Sequence, residues 1–79
     1  MEYEFLTLDQ RRQVLEERLT RIEVEHYEHE VNRKIGEALA QRANGKQLDE
    51  ARQMIADPES AQAILETAHE AARAVRAEL

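Results

Sequence analysis

Ala43-Asn44-Gly45-Lys46 (residues 43–46) is the stretch that decides the fold. It separates two long tracts rich in Ala, Leu, Glu, Gln and Arg, the residues with the strongest intrinsic helix preference. Glycine adopts positive φ without a Cβ penalty, so Asn44-Gly45 reads as the stop of a helix and the turn into another. The other strong punctuation marks are Gly36 and the single proline, Pro58.

Upstream of the turn, Thr7-Leu8-Asp9-Gln10 has the form of a capping box, with Thr7 as N-cap and Gln10 reaching back to it. The spacing predicts a first helix over about residues 8–43, roughly 54 Å long at 1.5 Å per residue. Gly36 weakens this helix by about 1 kcal/mol relative to alanine without breaking it. Residues 1–6 read as an extended N-terminal arm, in which Tyr3 and Phe5 point the same way and can dock on a helix surface.

Downstream, a short helix over about residues 47–56 carries Leu48, Ala51, Met54 and Ile55. Asp57-Pro58-Glu59 then reads as a fresh start: an aspartate cap, a proline in the first turn and an acidic residue favoured by the helix dipole. A last helix over about residues 58–78 follows. Its apolar positions Ala61, Leu65, Ala68, Ala72, Val75 and Leu79 step by four and three, a heptad seam of the coiled-coil kind. The downstream helices together match the first in length. Residues 1–79 are therefore expected to form a single all-α domain, an antiparallel helical hairpin.

The first helix carries two apolar stripes. At 100° per residue, Leu8, Leu15, Leu19, Ile22 and His26 share one face, while Val24, Tyr27, Val31, Ile35, Ala38 and Leu39 share a face roughly 160° away. One folded-back arm covers only one of them. Nearness to the turn assigns Tyr27, Val31, Ile35 and Leu39 to an intrachain core with Leu48, Ile55, Leu65, Ala68 and Ala72. Leu8, Leu15, Leu19, Ile22 and His26 are left as an interface for another chain, unless the helix bends near residue 23.

Composition supports association. A chain of 79 residues buries only about 60% of the surface its unfolded form exposes. Much of its 42% hydrophobic content is alanine, with only Tyr3, Phe5 and Tyr27 as aromatics. Cysteine is absent, so disulfides add nothing, and a partner or oligomer is the expected remedy. The net charge of −6 divides evenly, with seven basic against ten acidic residues before Gly45 and four against seven after it. No basic arm exists to meet nucleic acid, and neither a secretory leader nor a membrane-spanning run is visible. A cytoplasmic location, or a virion assembled there, is expected.

Glu23-Val24-Glu25-His26-Tyr27-Glu28-His29-Glu30 is the one concentrated set of metal-capable side chains. Glu23/His26 and Glu66/His69 both have the Glu-x-x-His spacing of carboxylate-bridged metal bundles. Glu66 falls off the predicted seam, His69 only flanks it, and two further Glu ligands are missing, so a solvated or salt-bridged patch is the favoured reading, with no cofactor expected. Arg11, Arg12, Arg18 and Arg21 are interrupted by Glu16 and Glu17, with Glu17 and Arg21 at ion-pair spacing. Ser60 is the lone serine and no Gly-rich phosphate loop exists, which leaves no nucleophilic or phosphate-binding constellation.

Phe5-Leu6-Thr7-Leu8-Asp9-Gln10-Arg11-Arg12 and Glu23-Val24-Glu25-His26-Tyr27-Glu28-His29-Glu30-Val31-Asn32 resemble small helical proteins encoded among the virion structural genes of tailed bacteriophages. The likeness covers about half the chain and brings no catalytic residues. It implies a virion or assembly accessory protein present in several copies. The function expected is thus non-enzymatic, structural and exerted on other protein chains. The alternatives are an antitoxin-like regulatory adaptor and a metal-binding helical protein.

Overall fold

The computed structural model describes residues 5–79, and these form two helices, α1 (Leu8–Ala40) and α2 (Lys46–Glu78), each of 33 residues. They lie side by side as an antiparallel hairpin measuring 58 × 17 × 15 Å. The radius of gyration is 17.9 Å, against about 12 Å for a compact globule of this length. The expected all-α hairpin is what the chain forms, as a thin rod.

The capping box is complete. Gln10 N donates to Thr7 Oγ1 at 3.1 Å and Thr7 N donates to Gln10 Oε1 at 2.9 Å, which fixes the start of α1 at Leu8. The helix stops at Ala40, three residues short of the expected end, and Arg42 N closes the last turn on Leu39 O at 3.0 Å. Gly45 does adopt positive φ, +59°, but as the N-cap of α2 rather than the stop of α1. Its carbonyl accepts from Leu48 N and Asp49 N at 3.1 and 3.3 Å.

The expected break at Asp57-Pro58 does not occur. Residues 47–56 and 58–78 belong to one helix that runs through Pro58. Asp57 is an interior residue whose carboxylate accepts from Gln53 Nε2 at 2.5 Å, so it caps nothing. A proline inside a helix deletes one backbone hydrogen bond and costs about 3 kcal/mol. Packing overrides that cost: Ala51 and Ile55 before it, and Gln62 and Leu65 after it, all lie against α1, and Pro58 itself is buried between them.

The contact between the helices follows a seven-residue repeat on both. On α1 the seam is Leu15, Leu19, Ile22, His26, His29, Arg33, Gly36 and Ala40; on α2 it is Leu48, Ala51, Ile55, Pro58, Gln62, Leu65, His69 and Ala72. Each set steps by threes and fours and each member is buried or half-buried. Gly36 lies at a close approach of the two helices. A Cβ there would sit 3.0 Å from Met54 Cβ and Ile55 Cγ1 and 3.1 Å from the Met54 carbonyl carbon. Gly36 is a contact point, and its helix weakness is the lesser part of its role.

Tyr3 lies outside the described residues, and Phe5 is 96% exposed, so Phe5 docks on no helix surface.

Candidate protein-interaction surface

The two stripes of α1 exchange the roles expected of them. Leu19, assigned to another chain, is 4% exposed and packs in the seam with the half-buried Leu15, Ile22 and His26. Leu8, at the open end, remains exposed. Tyr27, Val31 and Ile35, assigned to the intrachain core, stand exposed on the far side of α1, as does Val24, while Leu39, also assigned there, flanks the seam beside Ala51 and Met54 and is about half exposed. Their intended α2 partners do line the seam: Leu48, Ile55, Leu65, Ala68 and Ala72 are half-buried, but against the Leu15–Ala40 stripe.

Length explains the exchange. The Val24–Leu39 stripe spans only about 23 Å, less than half of α2. The Leu15 stripe continues past His26 through His29, Arg33, Gly36 and Ala40, and so faces α2 along nearly its whole length. The price is a seam rich in polar side chains.

Those polar side chains form a ladder across one broad side of the hairpin. Arg76 Nη1 donates to Glu16 Oε1 at 2.9 Å; His69 Nε2 lies 3.4 Å from Glu23 Oε1; His26 Nε2 lies 3.0 Å from Glu66 Oε1; Gln62 Nε2 donates to Glu30 Oε2 at 2.8 Å. Each step forward along α1 matches an equal step back along α2, so the four rungs fix a single register. Arg12 Nη2 adds a tie to the Leu79 carbonyl at 3.0 Å. The two Glu-x-x-His motifs therefore do meet, as crossed His–Glu pairs along an open groove lined also by Ile22, Leu65 and Arg73. Glu66 faces water, as its place off the predicted seam leads one to expect, and meets His26 there. Among the described residues no three His, Asp or Glu side chains are grouped to hold a metal ion.

Glu30 is the most perturbed acid among the described residues. Hydrogen bonds from Arg33 first, and from Gln62 second, hold its carboxyl well below the ordinary 4.5, at about 2. Arg33 also donates to Glu37 Oε1 at 2.6 Å. Gln62, only 8% exposed, is the polar residue most deeply placed in the seam. Sequence reasoning passed over it because a glutamine on a Glu-, Gln- and Arg-rich helix carries no distinguishing signal. Its three-residue step to Leu65 is the one cue.

Comparison of the chain with protein-family models, with curated proteins and with solved structures returned no match. The surface must therefore be read from its own chemistry. Leu19 and Ala51 are the buried hydrophobic residues among those described, and no large side chain there is wholly enclosed. Against that thin seam stand Val24, Tyr27, Val31 and Ile35 on the outer side of α1, with Tyr27 67% exposed. On α2, Met54, Ile64 and Val75 are exposed as well. The hairpin holds histidine, arginine and glutamine among the leucines and isoleucines of its seam, while Val24, Tyr27, Val31, Ile35 and Ile64 face outward. No helix among the described residues is long and apolar enough to cross a membrane.

Proposed function

We propose that the chain is a non-enzymatic structural or assembly module that acts by helix–helix packing with other protein chains, its hairpin seam being of the antiparallel coiled-coil kind. The carrying observation is the uncovered Val24, Tyr27, Val31 and Ile35 stripe on a helix whose opposite face is already occupied. Contiguous apolar surface of this sort marks sites of protein association. The elongated, thinly cored hairpin supports the same reading, because it gains most of its additional burial only from a neighbouring chain. The resemblance of residues 5–12 and 23–32 to phage virion accessory proteins supports a place in a virion or its assembly; that part of the proposal rests on the resemblance alone.

A photo-crosslinking amino acid placed at Tyr27, in cells making the chain in its native context, tests the reading. Irradiation is expected to join position 27 covalently to protein, whether the same chain or another, while a probe at Thr67 on the outer side of α2 gives little product. Equal yields at both positions, or none at 27, would remove the α1 stripe as an interaction surface.

A further inference from the structure

The exposed stripe on α1 has a spacing that reads the same in both directions. Val24, Tyr27, Val31, Ile35 and Ala38 step by three, four, four and three residues, and all five are exposed. A helix laid antiparallel on this stripe, with Val31 opposite its own counterpart, sets Tyr27 opposite Ile35 and Val24 opposite Ala38. Each apolar residue then meets an apolar residue. An isologous two-fold contact requires this self-complementarity, since the same patch serves both partners.

The surface area agrees. The chain exposes 6373 Å², whereas a folded monomer of its 9.2 kDa mass exposes about 4,900 Å². Even with the first four residues set aside at the full accessibility of an unfolded chain, roughly 800 Å² of excess remains. That is about the share each partner contributes to a standard protein–protein interface.

We infer that the occupant of this stripe is a second copy of the chain, packed through α1 against α1 in antiparallel sense about a two-fold axis at Val31, giving a four-helix assembly. This rests on the proposed packing function and names its partner. The two α1 helices form the centre of the assembly, each with its own α2 on the outside. The polar seam of each hairpin sets the register within a chain, and the apolar stripe supplies the contact between chains.

The absence of cysteine makes the test clean. Purified wild-type chain is expected to show twice the chain mass by light scattering. Under mild oxidation, Val31→Cys is expected to form a disulfide-linked dimer rapidly, because only a residue at the axis meets itself. Tyr27→Cys and Thr67→Cys are expected to stay largely uncrosslinked. Ile35→Glu is expected to raise the dissociation constant on the order of a hundredfold, while Ile64→Glu on α2 leaves it unchanged. A helical chain that stays monomeric at all concentrations would overturn the inference, as would self-crosslinking of Tyr27→Cys as fast as Val31→Cys, the mark of a parallel pair. A monomeric purified chain whose position 27 still crosslinks to a different protein would sink the second copy and leave the packing function standing.

Discussion

Gln62 reaches across from α2 to Glu30 on α1, its side-chain amide donating at 2.8 Å to the same carboxylate that Arg33 holds from within α1. One carboxylate thereby joins the two helices at mid-rod, where no large apolar pair exists to do so. Polar groups in a helix seam contribute little net stability and much register, because a shifted alignment leaves them without partners. The hairpin's alignment rests on this rung and its three neighbours.

Acid is expected to weaken the hairpin through Glu30. Its folded value of about 2 lies below the ordinary 4.5, so its contribution is fully present above about pH 4.5 and is lost as pH falls toward 2. Urea titrations between pH 6 and pH 2 should show falling stability over that window, with a smaller fall in Glu30→Gln. Carboxyl NMR that places Glu30 at its ordinary value would refute the coupling to Arg33 and Gln62.

Gly36→Ala separates close packing from helix propensity. Propensity alone favours alanine by about 1 kcal/mol, whereas intrusion on Met54 and Ile55 carries an overpacking cost of about 1–3 kcal/mol. The expected net effect is a loss of roughly 1 kcal/mol, and Gly36→Leu should lose more. Thermal melts that show Gly36→Ala to be the more stable protein would deny the close approach.

Pro58→Ala is expected to stabilise the chain. In a continuous α2 the substitution restores the backbone hydrogen bond that proline forgoes, a gain of up to about 3 kcal/mol less what its buried ring contributes by packing. Were Pro58 the first residue of a separate helix, the change would be neutral or harmful. Chemical denaturation decides between these outcomes.

The two stripes of α1 should respond differently to truncation. Leu19→Ala removes the best-buried large side chain and is expected to cost about 2–5 kcal/mol at any concentration. Val31→Ala or Ile35→Ala should change the stability of the isolated hairpin by less than about 1 kcal/mol and act chiefly on association. Denaturation midpoints measured across a wide range of protein concentration distinguish the two.

Much of the architecture was legible in the residues. Thr7 and Gln10 announced the start of α1, and Asn44-Gly45 announced the turn, because capping and positive φ are local properties. The choice between the two α1 stripes was not local. Leu15-Leu19-Ile22 and Val31-Ile35-Leu39 are equally apolar, and nearness to the turn favoured the wrong one. What decided it was the length over which a stripe can follow α2, including polar members such as His26 and Arg33 that apolar counting discards. On α2, Ala61 and Ala68 do line the seam as expected, but Gln62 and His69 beside them lie in it as well and pair across, and Val75 stands exposed. Alanine's small size hides its face, and Gln62 and His69 show their role only through Glu30 and Glu23 on the other helix. Pro58 misled because its local effect is strong and the packing that overrides it is invisible in one segment.

The most direct test of the central claim is hydroxyl-radical footprinting of Tyr27 by mass spectrometry, at concentrations above and below association. The account predicts that Tyr27 and Val31 are protected in the associated state and become reactive on dilution or in Ile35→Glu, while Ile64 reacts throughout. Tyr27 oxidised at the full rate of an exposed tyrosine under every condition, including in material recovered from native assemblies, would contradict it.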